Sequence, residues 1–533
     1  MGGESNNTGS CPDRHQCNGT LAVTGEIAKY LRGQGFEGFA PNTHLVAAPH
    51  FLPDLIDWMS ALIDMGMKPQ NIHLIGKQYS QVDAVRDKLR KIGIDVVDYT
   101  PTPMGQYYET LQNVDMPKFW EHSMEKIRDS LKTEGAQNIL VMDDGGRLLR
   151  SIPTELLNNP DVKIAGIEQT TNGFDVAREE GHSIDIVIPA MSALKLEFEP
   201  PFIADAVLRK LRDKLGIFKN RDVAVVGIGK IGGALCETLA DNHNNIYVYD
   251  TAVSITDGVL NDPKNLLPSS VNIYEAPAIG HPKSEAKLIR ASQPPSSANY
   301  YVCNGLEQAV QNTNYVFGCT GRDIFKDIDL DKMTFQGVDK RLSETRFISV
   351  SSGDKEFLSL LQWISKQPNH LHHGPETKLG SRWDVTLNHN GNKMRVLQQG
   401  FPINFDGKTG SGTPEEMQLI SSFLMASVVQ GYEYLKKYPV KSTNDGRNLI
   451  MLSPAVQRKI METWLDKVPS IQGLYKPDRI AEIMTDSEWF ARHSKGESCP
   501  VFAADLPTPE CLVQKAEPAN SQAQEKDHGQ KGQ

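Results

Sequence analysis

The 533-residue chain has no apolar run long enough to cross a bilayer. Its most apolar helical stretch, Leu419 to Val429, is short and contains serine, whereas a spanning helix needs about 20 apolar residues. The first twenty residues, MGGESNNTGSCPDRHQCNGT, hold none of the apolar stretch that marks a secretory signal. Asn6 stands where a myristoylation site favours Ser or Thr. These absences predict a cytoplasmic chain with no membrane partner. Cysteine is sparse. Cys11, Cys17, Cys236, Cys303, Cys319, Cys499 and Cys511 are odd in number and scattered, which excludes a disulfide framework and favours a reducing compartment. Positive charge is in deficit, with 56 Lys and Arg against 66 Asp and Glu. A surface of that sign repels phosphate backbones, so no nucleic-acid partner is expected. Internal repeats are also lacking. No metal is expected: His370, His372 and His373 sit too close in sequence to converge on one ion, no Cys or carboxylate flanks them at ligand spacing, and they read as a loop. Cys11, His15 and Cys17 lie in the polar head and carry no stronger signal.

The length exceeds what one core usually supports and implies two or three domains. Residues 1–20 and 512–533 lack large apolar groups and read as a disordered head and tail. Between them, short apolar runs read as buried strands: HLVAA (44–48), NIHLIG (71–76), IDVVDY (94–99), NILVMDD (138–144), KIAGI (163–167) and IDIVIPA (184–190). Amphipathic stretches such as Leu52–Met65 and Gln81–Ile92 separate most of them. That alternation predicts an α/β fold, a mostly parallel sheet covered on both faces. A second α/β series begins at Asp222 and continues through NYVFGCTG (314–321), RFISVSSG (346–353) and MRVLQQG (394–400). A Pro/Ser/Asn-rich segment, 276–300, interrupts it and reads as a surface insertion. A long helix is expected from Pro414 to about Lys437, then a helical C-terminal extension.

The strongest local signal is Gly227-Ile228-Gly229-Lys230-Ile231-Gly232. It follows the strand VAVV and opens a helix. Glycines so spaced permit a tight turn, close approach of a pyrophosphate, and helix–strand packing, while the helix N-terminus offers free N–H groups to phosphate. The next strand, NIYVYD, ends in Asp250. A carboxylate there accepts hydrogen bonds from both ribose hydroxyls and repels a 2′-phosphate, which predicts NAD over NADP. The bland alternative is a glycine turn in some other α/β sheet.

Further motifs stand in a telling order: VMDDGGRLL (141–149), GIEQTTNG (166–173), IPA (188–190) with KLEFEPPF (195–202), GIGKIGG (227–233), CTGRDIF (319–325) and QGFPINF (399–405). Over residues 40 to 440 the chain resembles the S-adenosyl-L-homocysteine hydrolases, as a divergent member. The resemblance implies two doubly wound domains: a substrate domain of 21–199 plus 413–440 and an NAD-binding Rossmann domain of 200–412, with 441–511 as the C-terminal extension. It also implies a homo-oligomer, whose tail reaches a neighbouring subunit's NAD site. The implied activity is transient oxidation of a nucleoside ribose hydroxyl by tightly held NAD, elimination and addition at the 5′ carbon, and re-reduction.

Carried over by resemblance, Lys195 would deprotonate the 3′-hydroxyl, Asp144 would serve acid–base roles near the ribose, and His50 the 5′ position. Glu199 stands where the family has aspartate. Thr170, Thr171 and Asn172 stand where three threonines touch NAD. Lys230, Ile231, Thr320, Gly321 and Asn404 complete the implied cofactor contacts, with Asn404 at the nicotinamide. The departures gather in the substrate pocket. Gln169 replaces a ribose-binding glutamate and cannot act as a base. Pro200 and Ala204 replace an asparagine and a cysteine. Leu52, Asp54 and Thr413 replace polar groups of the adenine side, and Asp354 stands at or beside a ribose-facing histidine. These changes predict that adenosylhomocysteine itself fits poorly.

Each residue has a plainer reading too. Lys195 can be a solvated lysine, Asp143 and Asp144 can form an Asx-type turn, and His50 can simply enter a helix. Small residues around Cys319 can reflect close packing. The small-molecule enzyme therefore has two rivals: a non-catalytic NAD-binding regulator, and a simple NAD-dependent dehydrogenase.

Overall fold

The computed structural model describes residues 22–216, 221–240, 245–279, 281–292, 298–333, 344–351, 353–373, 384–389, 392–405, 413–438, 448–469, 477–499 and 501–502, with 471 and 475 besides. The expected disordered head and tail lie outside these residues.

Alternating apolar runs build the first sheet. Its strands are Thr43–Ala47, Ile72–Ile75, Asp95–Val97, Gln137–Asp143, Val162–Glu168, Ile186–Val187 and Leu449–Ile450. All pair in parallel. Successive side chains of a strand face opposite ways, and the two faces bury separate cores. Leu45, Ala47, Leu140 and Met142 pack with Leu419, Phe423 and Val428 of the helix Pro414–Lys437. Val46, Ile139 and Val141 pack with Phe119, Trp120 and Ile127 of the helix Met116–Glu134.

Numbered along the chain, the first six strands lie side by side as 3-2-1-4-5-6. The first and fourth strands are therefore neighbours whose outgoing chains leave in opposite directions, which opens a crevice at their carboxyl ends. His50 follows the first strand and Asp144 the fourth.

The second sheet repeats this order. Val223–Val226, Asn245–Tyr249, Asn299–Val302, Tyr315–Gly318, Glu344–Ser349 and Asn392–Val396 are all parallel and again lie as 3-2-1-4-5-6. The fold is thus α/β with two doubly wound sheets. The segment 276–300, expected as a surface insertion, contains the strand Lys287–Arg290, which pairs with Asn272–Glu275 just before it. Asn272–Glu275 and Lys287–Arg290 extend one edge. His370–His373, expected as a loop, pairs with Asp384–His389 on the other edge. Edge strands half in solvent carry too little apolar pattern to declare themselves. Leu288, for one, is exposed.

One helix, Ala193–Leu215, joins the two halves. Its first turns (Ala193, Leu194, Phe198, Phe202) belong to the first core, and Ala204, Val207, Leu208 and Leu211 belong to the second. The C-terminal extension returns to the first half. It supplies the seventh strand and the helices Pro454–Lys467, Pro477–Thr485 and Trp489–His493, which bury Trp464, Ile483, Trp489 and Phe490. It also caps the joining helix, because the Ala193 N–H donates to Ser494 Oγ (2.8 Å) and the Leu194 N–H to Gln457 Oε1 (3.1 Å). These are first-turn N–H groups with no partner inside their own helix. No described helix is long and apolar enough to cross a membrane.

Candidate functional site

The crevice of the first sheet gathers residues from four strand ends and the joining helix. Asp144 is its centre. Asp144 Oδ2 lies 3.0 Å from His50 Nε2 and 2.5 Å from Lys77 Nζ, and it accepts a 2.6 Å hydrogen bond from Gln169 Nε2. Burial opposes the Asp144 charge, but Lys77 and His50 outweigh it and hold the carboxyl well below its ordinary range. Burial pushes the His50 imidazole down, and Lys77 adds to this against Asp144. Burial likewise lowers Lys77, with Asp144 opposing. The other His50 nitrogen, Nδ1, lies 2.5 Å from Ser80 Oγ. The ring stacks on Phe405, centroids 4.3 Å apart.

Gln169 links this cluster to a second one. Its backbone carbonyl accepts a 2.6 Å hydrogen bond from Lys195 Nζ, and Lys195 Nζ lies 3.3 Å from Glu199 Oε2. Lys195 and Glu199 are one helical turn apart on the joining helix, a spacing that sets side chains face to face. Burial raises Glu199, with the Lys195 ammonium opposing. His50, Asp144, Gln169, Lys195 and Glu199 thus form one continuous chain of contacts. Lys77, at its centre, is absent from the residues expected on sequence.

In the second sheet the glycine loop occupies the matching crevice. Gly227 has φ +85°, and a Cβ there would meet Thr320 Cγ2 at 2.7 Å. A Cβ on Gly232 would stand 1.9 Å from the Gly227 carbonyl oxygen, so the turn closes only with glycine. Gly229 differs, because beyond its chain neighbours no atom of the described residues lies within 4 Å of its notional Cβ. Packing does not explain that glycine, but the close approach of a ligand does. The helix Lys230–Ala240 starts beside it. Asp250 accepts from Ile228 N (2.9 Å) and Ala252 N (2.8 Å), which fixes its carboxylate at the loop. Asn404 is buried, and its Oδ1 has no hydrogen-bond partner among the described residues. The residues therefore fit a dinucleotide: a glycine cradle, a fixed acid at the strand end, and an orphaned amide oxygen.

Two buried carboxylates that sequence reasoning missed hold these crevices in shape. Glu168 accepts from Gly145 N, Gly146 N, Thr170 N and Thr170 Oγ1. Glu356 accepts from Thr320 N, Thr320 Oγ1, Gly321 N and Ser351 Oγ. Thr170, Thr320 and Gly321 are thus positioned by carboxylates behind them. Thr170 also caps the helix Thr171–Glu180, whose first turn holds Thr171 and Asn172. Lys230 is exposed and Ile231 half-buried at the start of their helix.

Three expected substrate residues have structural employment. The Thr413 hydroxyl accepts from Glu416 N while Glu416 Oε2 accepts from Thr413 N, a reciprocal cap of the long helix. Leu52 is buried at the start of the helix Pro53–Asp64. Asp354 Oδ2 accepts from Tyr107 N, a tie between the two halves. The Thr413 hydroxyl and Asp354 Oδ2 are thus engaged, while Asp354 Oδ1 is buried with no hydrogen-bond partner among the described residues. Asp54 sits in the first turn of its helix, pushed up to about 7 by burial, with Asp57 adding. An open cleft of about 480 Å³ by Gly146, Gly173 and His182 lies apart from this constellation. Among the described residues no group of His, Cys, Asp and Glu could hold a metal.

Asp354 supplies a pH prediction. Burial raises its carboxyl to about 6. The folded state thus holds that proton more tightly than the unfolded chain does. The associated stability is present below the ordinary carboxyl range, near pH 4, and is lost as pH rises through 6. Asp354→Asn keeps an acceptor for Tyr107 N and removes the titration. The variant is expected to gain on the parent by about 2–3 kcal/mol between pH 4 and 8, since each tenfold difference in proton affinity between the folded and unfolded states is worth about 1.4 kcal/mol. Denaturant unfolding at both pH values reads this, and a difference that does not change with pH contradicts it.

No family model matches the chain. It is similar to two curated uncharacterized proteins of Mycobacterium tuberculosis, one from strain CDC 1551 / Oshkosh and one from strain ATCC 25618 / H37Rv. Each is 26% identical over 391 residues, which cover 72% of this chain and 63% of the relative. Among solved structures, a 2-hydroxyacid dehydrogenase from Ketogulonicigenium vulgare Y25 aligns at 11% identity and TM-score 0.31, over 76% of this chain and 98% of that one. The cofactor (NAD+)-bound 3-phosphoglycerate dehydrogenase of Entamoeba histolytica aligns at 10% identity and TM-score 0.30, over 76% and 99%. At these scores the doubly wound fold rests on the strand order itself.

Proposed function

We propose that this chain binds NAD and oxidises a secondary hydroxyl of a nucleoside-like or other polyol substrate. In the fuller form of this reading, the oxidation is transient, as in the adenosylhomocysteine hydrolases. A substituent is eliminated, water adds, and the carbonyl is reduced again. One observation carries the reading: two separate proton-handling groups, Lys195–Glu199 and His50–Asp144–Lys77, are bridged by Gln169. A simple dehydrogenase needs one acid–base station, to take the hydroxyl proton. Elimination and addition need a second, to move protons at the neighbouring carbon and its leaving group. Bound NAD supplies the oxidising equivalent. Lys195, as the neutral amine, takes the alcohol proton, and Glu199 orients the ammonium that results. Asp144 holds His50 in place to serve the second site, and the aromatic ring of Phe405 stacks on that imidazole.

The test is whether purified protein carries NAD and whether adding a nucleoside reduces it in place. Bound NAD with no reduction by any nucleoside or polyol would favour the regulator. Accumulating free ketone would favour the simple dehydrogenase. Cofactor choice is tested separately. Asp250→Ala is expected to weaken NAD binding and narrow the preference against NADP, because the repulsion of a 2′-phosphate goes with the carboxylate. Gly229→Ala is expected to leave stability within about 0.5 kcal/mol while weakening NAD binding by about tenfold or more. Calorimetric titration of both variants reads these effects. Equal affinity of the parent for NAD and NADP, or normal NAD binding by Gly229→Ala, would contradict the assignment.

A further inference from the structure

Arg147 is a buried guanidinium with no part in the proposed oxidation. It is 8% exposed, and its Nε is buried without a hydrogen-bond partner. It follows the Asp143-Asp144-Gly145-Gly146 turn and folds back over it, so that a Cβ on Gly145 would lie 3.9 Å from Arg147 Nη1. Its guanidinium carbon sits 3.8 Å above the centroid of the Tyr108 ring, and Lys355 Nζ lies 5.2 Å from the same centroid. Arg147 comes from the first sheet and Lys355 from the segment following the fifth strand of the second. Both cations lie against the Tyr108 ring where the halves meet, beside the Asp354–Tyr107 tie.

Among the described residues, neither Arg147 nor Lys355 has an ion-pair partner. The nearby acids bond elsewhere through part of their carboxylates, while Asp144 Oδ1 and Asp354 Oδ1 are buried with no hydrogen-bond partner among the described residues. Asp143 accepts from Asp144 N and Leu149 N, Asp144 is held by His50, Lys77 and Gln169, and Asp354 accepts from Tyr107 N. An arginine cannot shed its proton to escape burial. A buried cation without a partner is costly. The Tyr108 ring face and a side-chain hydrogen bond to Tyr108 offset part of that cost, but leave the Nε edge of the planar fork unmatched. That fork suits a phosphate or carboxylate oxygen pair.

We propose that Arg147 and Lys355 bind a phosphate monoester on the substrate, at the end of the molecule that faces His50 and Asp144. The assignment rests on the proposed function, which puts the oxidised hydroxyl at Lys195. Two unpaired cations match a dianion, which favours phosphate over a carboxylate. The substrate class becomes a phosphorylated nucleoside or sugar, not a thioether of a neutral nucleoside.

Calorimetric titration of the full chain with ribose 5-phosphate and ribose, and with adenosine 5′-monophosphate, adenosine and adenosine 5′-carboxylate, tests this. The phosphate ester of at least one pair is expected to bind at least about tenfold more tightly than its parent alcohol. Arg147→Ala and Lys355→Ala are each expected to lose about 10- to 100-fold for that ester and to leave the alcohol within about twofold. Arg147→Lys should keep the charge and recover part of the loss. Half-buried Lys355 covers the case in which Arg147→Ala fails to fold. Equal binding of ester and alcohol, tighter binding of the carboxylate, no binding of either ester, or equal losses for ester and alcohol in the variants would each overturn the proposal. Binding is read without turnover. Phosphate-dependent binding with no reduction of NAD would therefore leave this site standing and remove the oxidation scheme.

Discussion

Asp144→Ala is expected to destabilise the fold by about 3–5 kcal/mol at pH 7, the usual cost of removing one partner of a buried ion pair. Three donors converge on one oxygen, Asp144 Oδ2. Without it, Lys77 and His50 are left as buried cations or must release their protons. His50 yields readily, because burial already pushes its imidazole down. Lys77 is the costly group. Its lowered pKa means that the unfolded chain holds the lysine proton more tightly than the folded one does. Losing Asp144 widens that gap. Stability of the variant should therefore rise with pH more steeply than that of the parent, over the window between the folded Lys77 pKa and the ordinary lysine range. Asp144→Asn, which keeps shape and one acceptor, should show the same trend with a smaller loss. Denaturant unfolding at pH 7 and pH 9 separates these outcomes. A variant as stable as the parent at both would mean that water, not Asp144, solvates Lys77.

Much of the framework was legible because it depends on local pattern. Apolar runs such as NILVMDD and KIAGI fall on the observed strands Gln137–Asp143 and Val162–Glu168 within a residue or two. The glycine loop was readable for the same reason, since its turn is a local demand. The spatial chain from His50 to Glu199 came from motif order, and the strand order explains it. What was illegible depends on partners far along the chain. Lys77 in IGKQYS looks like any polar residue after a strand, and its burial is visible only once the fourth strand brings Asp144 beside it. Glu168 and Glu356 look like ordinary surface acids until their turns fold around them. Thr413 carries a second, local signal. A Thr-Pro-Glu-Glu run is a capping signal in its own right, and the cap engages its hydroxyl as an acceptor. The cap on the joining helix joins Ala193 to Ser494, and no local pattern encodes such a contact.

Lys195→Ala is expected to reduce single-turnover formation of NADH by about 10²–10⁴-fold, the usual effect of removing a general base. The ammonium is tied at 2.6 Å to the Gln169 carbonyl and at 3.3 Å to Glu199 Oε2. Its position is therefore set by a backbone atom of one strand end and by a side chain one helical turn away. Gln169, a neutral amide, orients the lysine only through its carbonyl, while its side chain is turned to Asp144. That leaves Glu199 as the only described carboxylate paired with Lys195. Glu199→Gln should then slow the same step by a smaller factor and shift its pH profile. NAD should remain bound in both variants, because Gly227, Gly229, Gly232 and Asp250 belong to the second sheet. The measurement is NADH formed per bound NAD in one turnover, with nucleoside or sugar phosphate in excess and NAD counted in parent and variants. Unchanged turnover in Lys195→Ala would remove the lysine from the chemistry. Loss of NAD together with activity would make it a structural link at the start of the joining helix, where the C-terminal extension already supplies two of the caps.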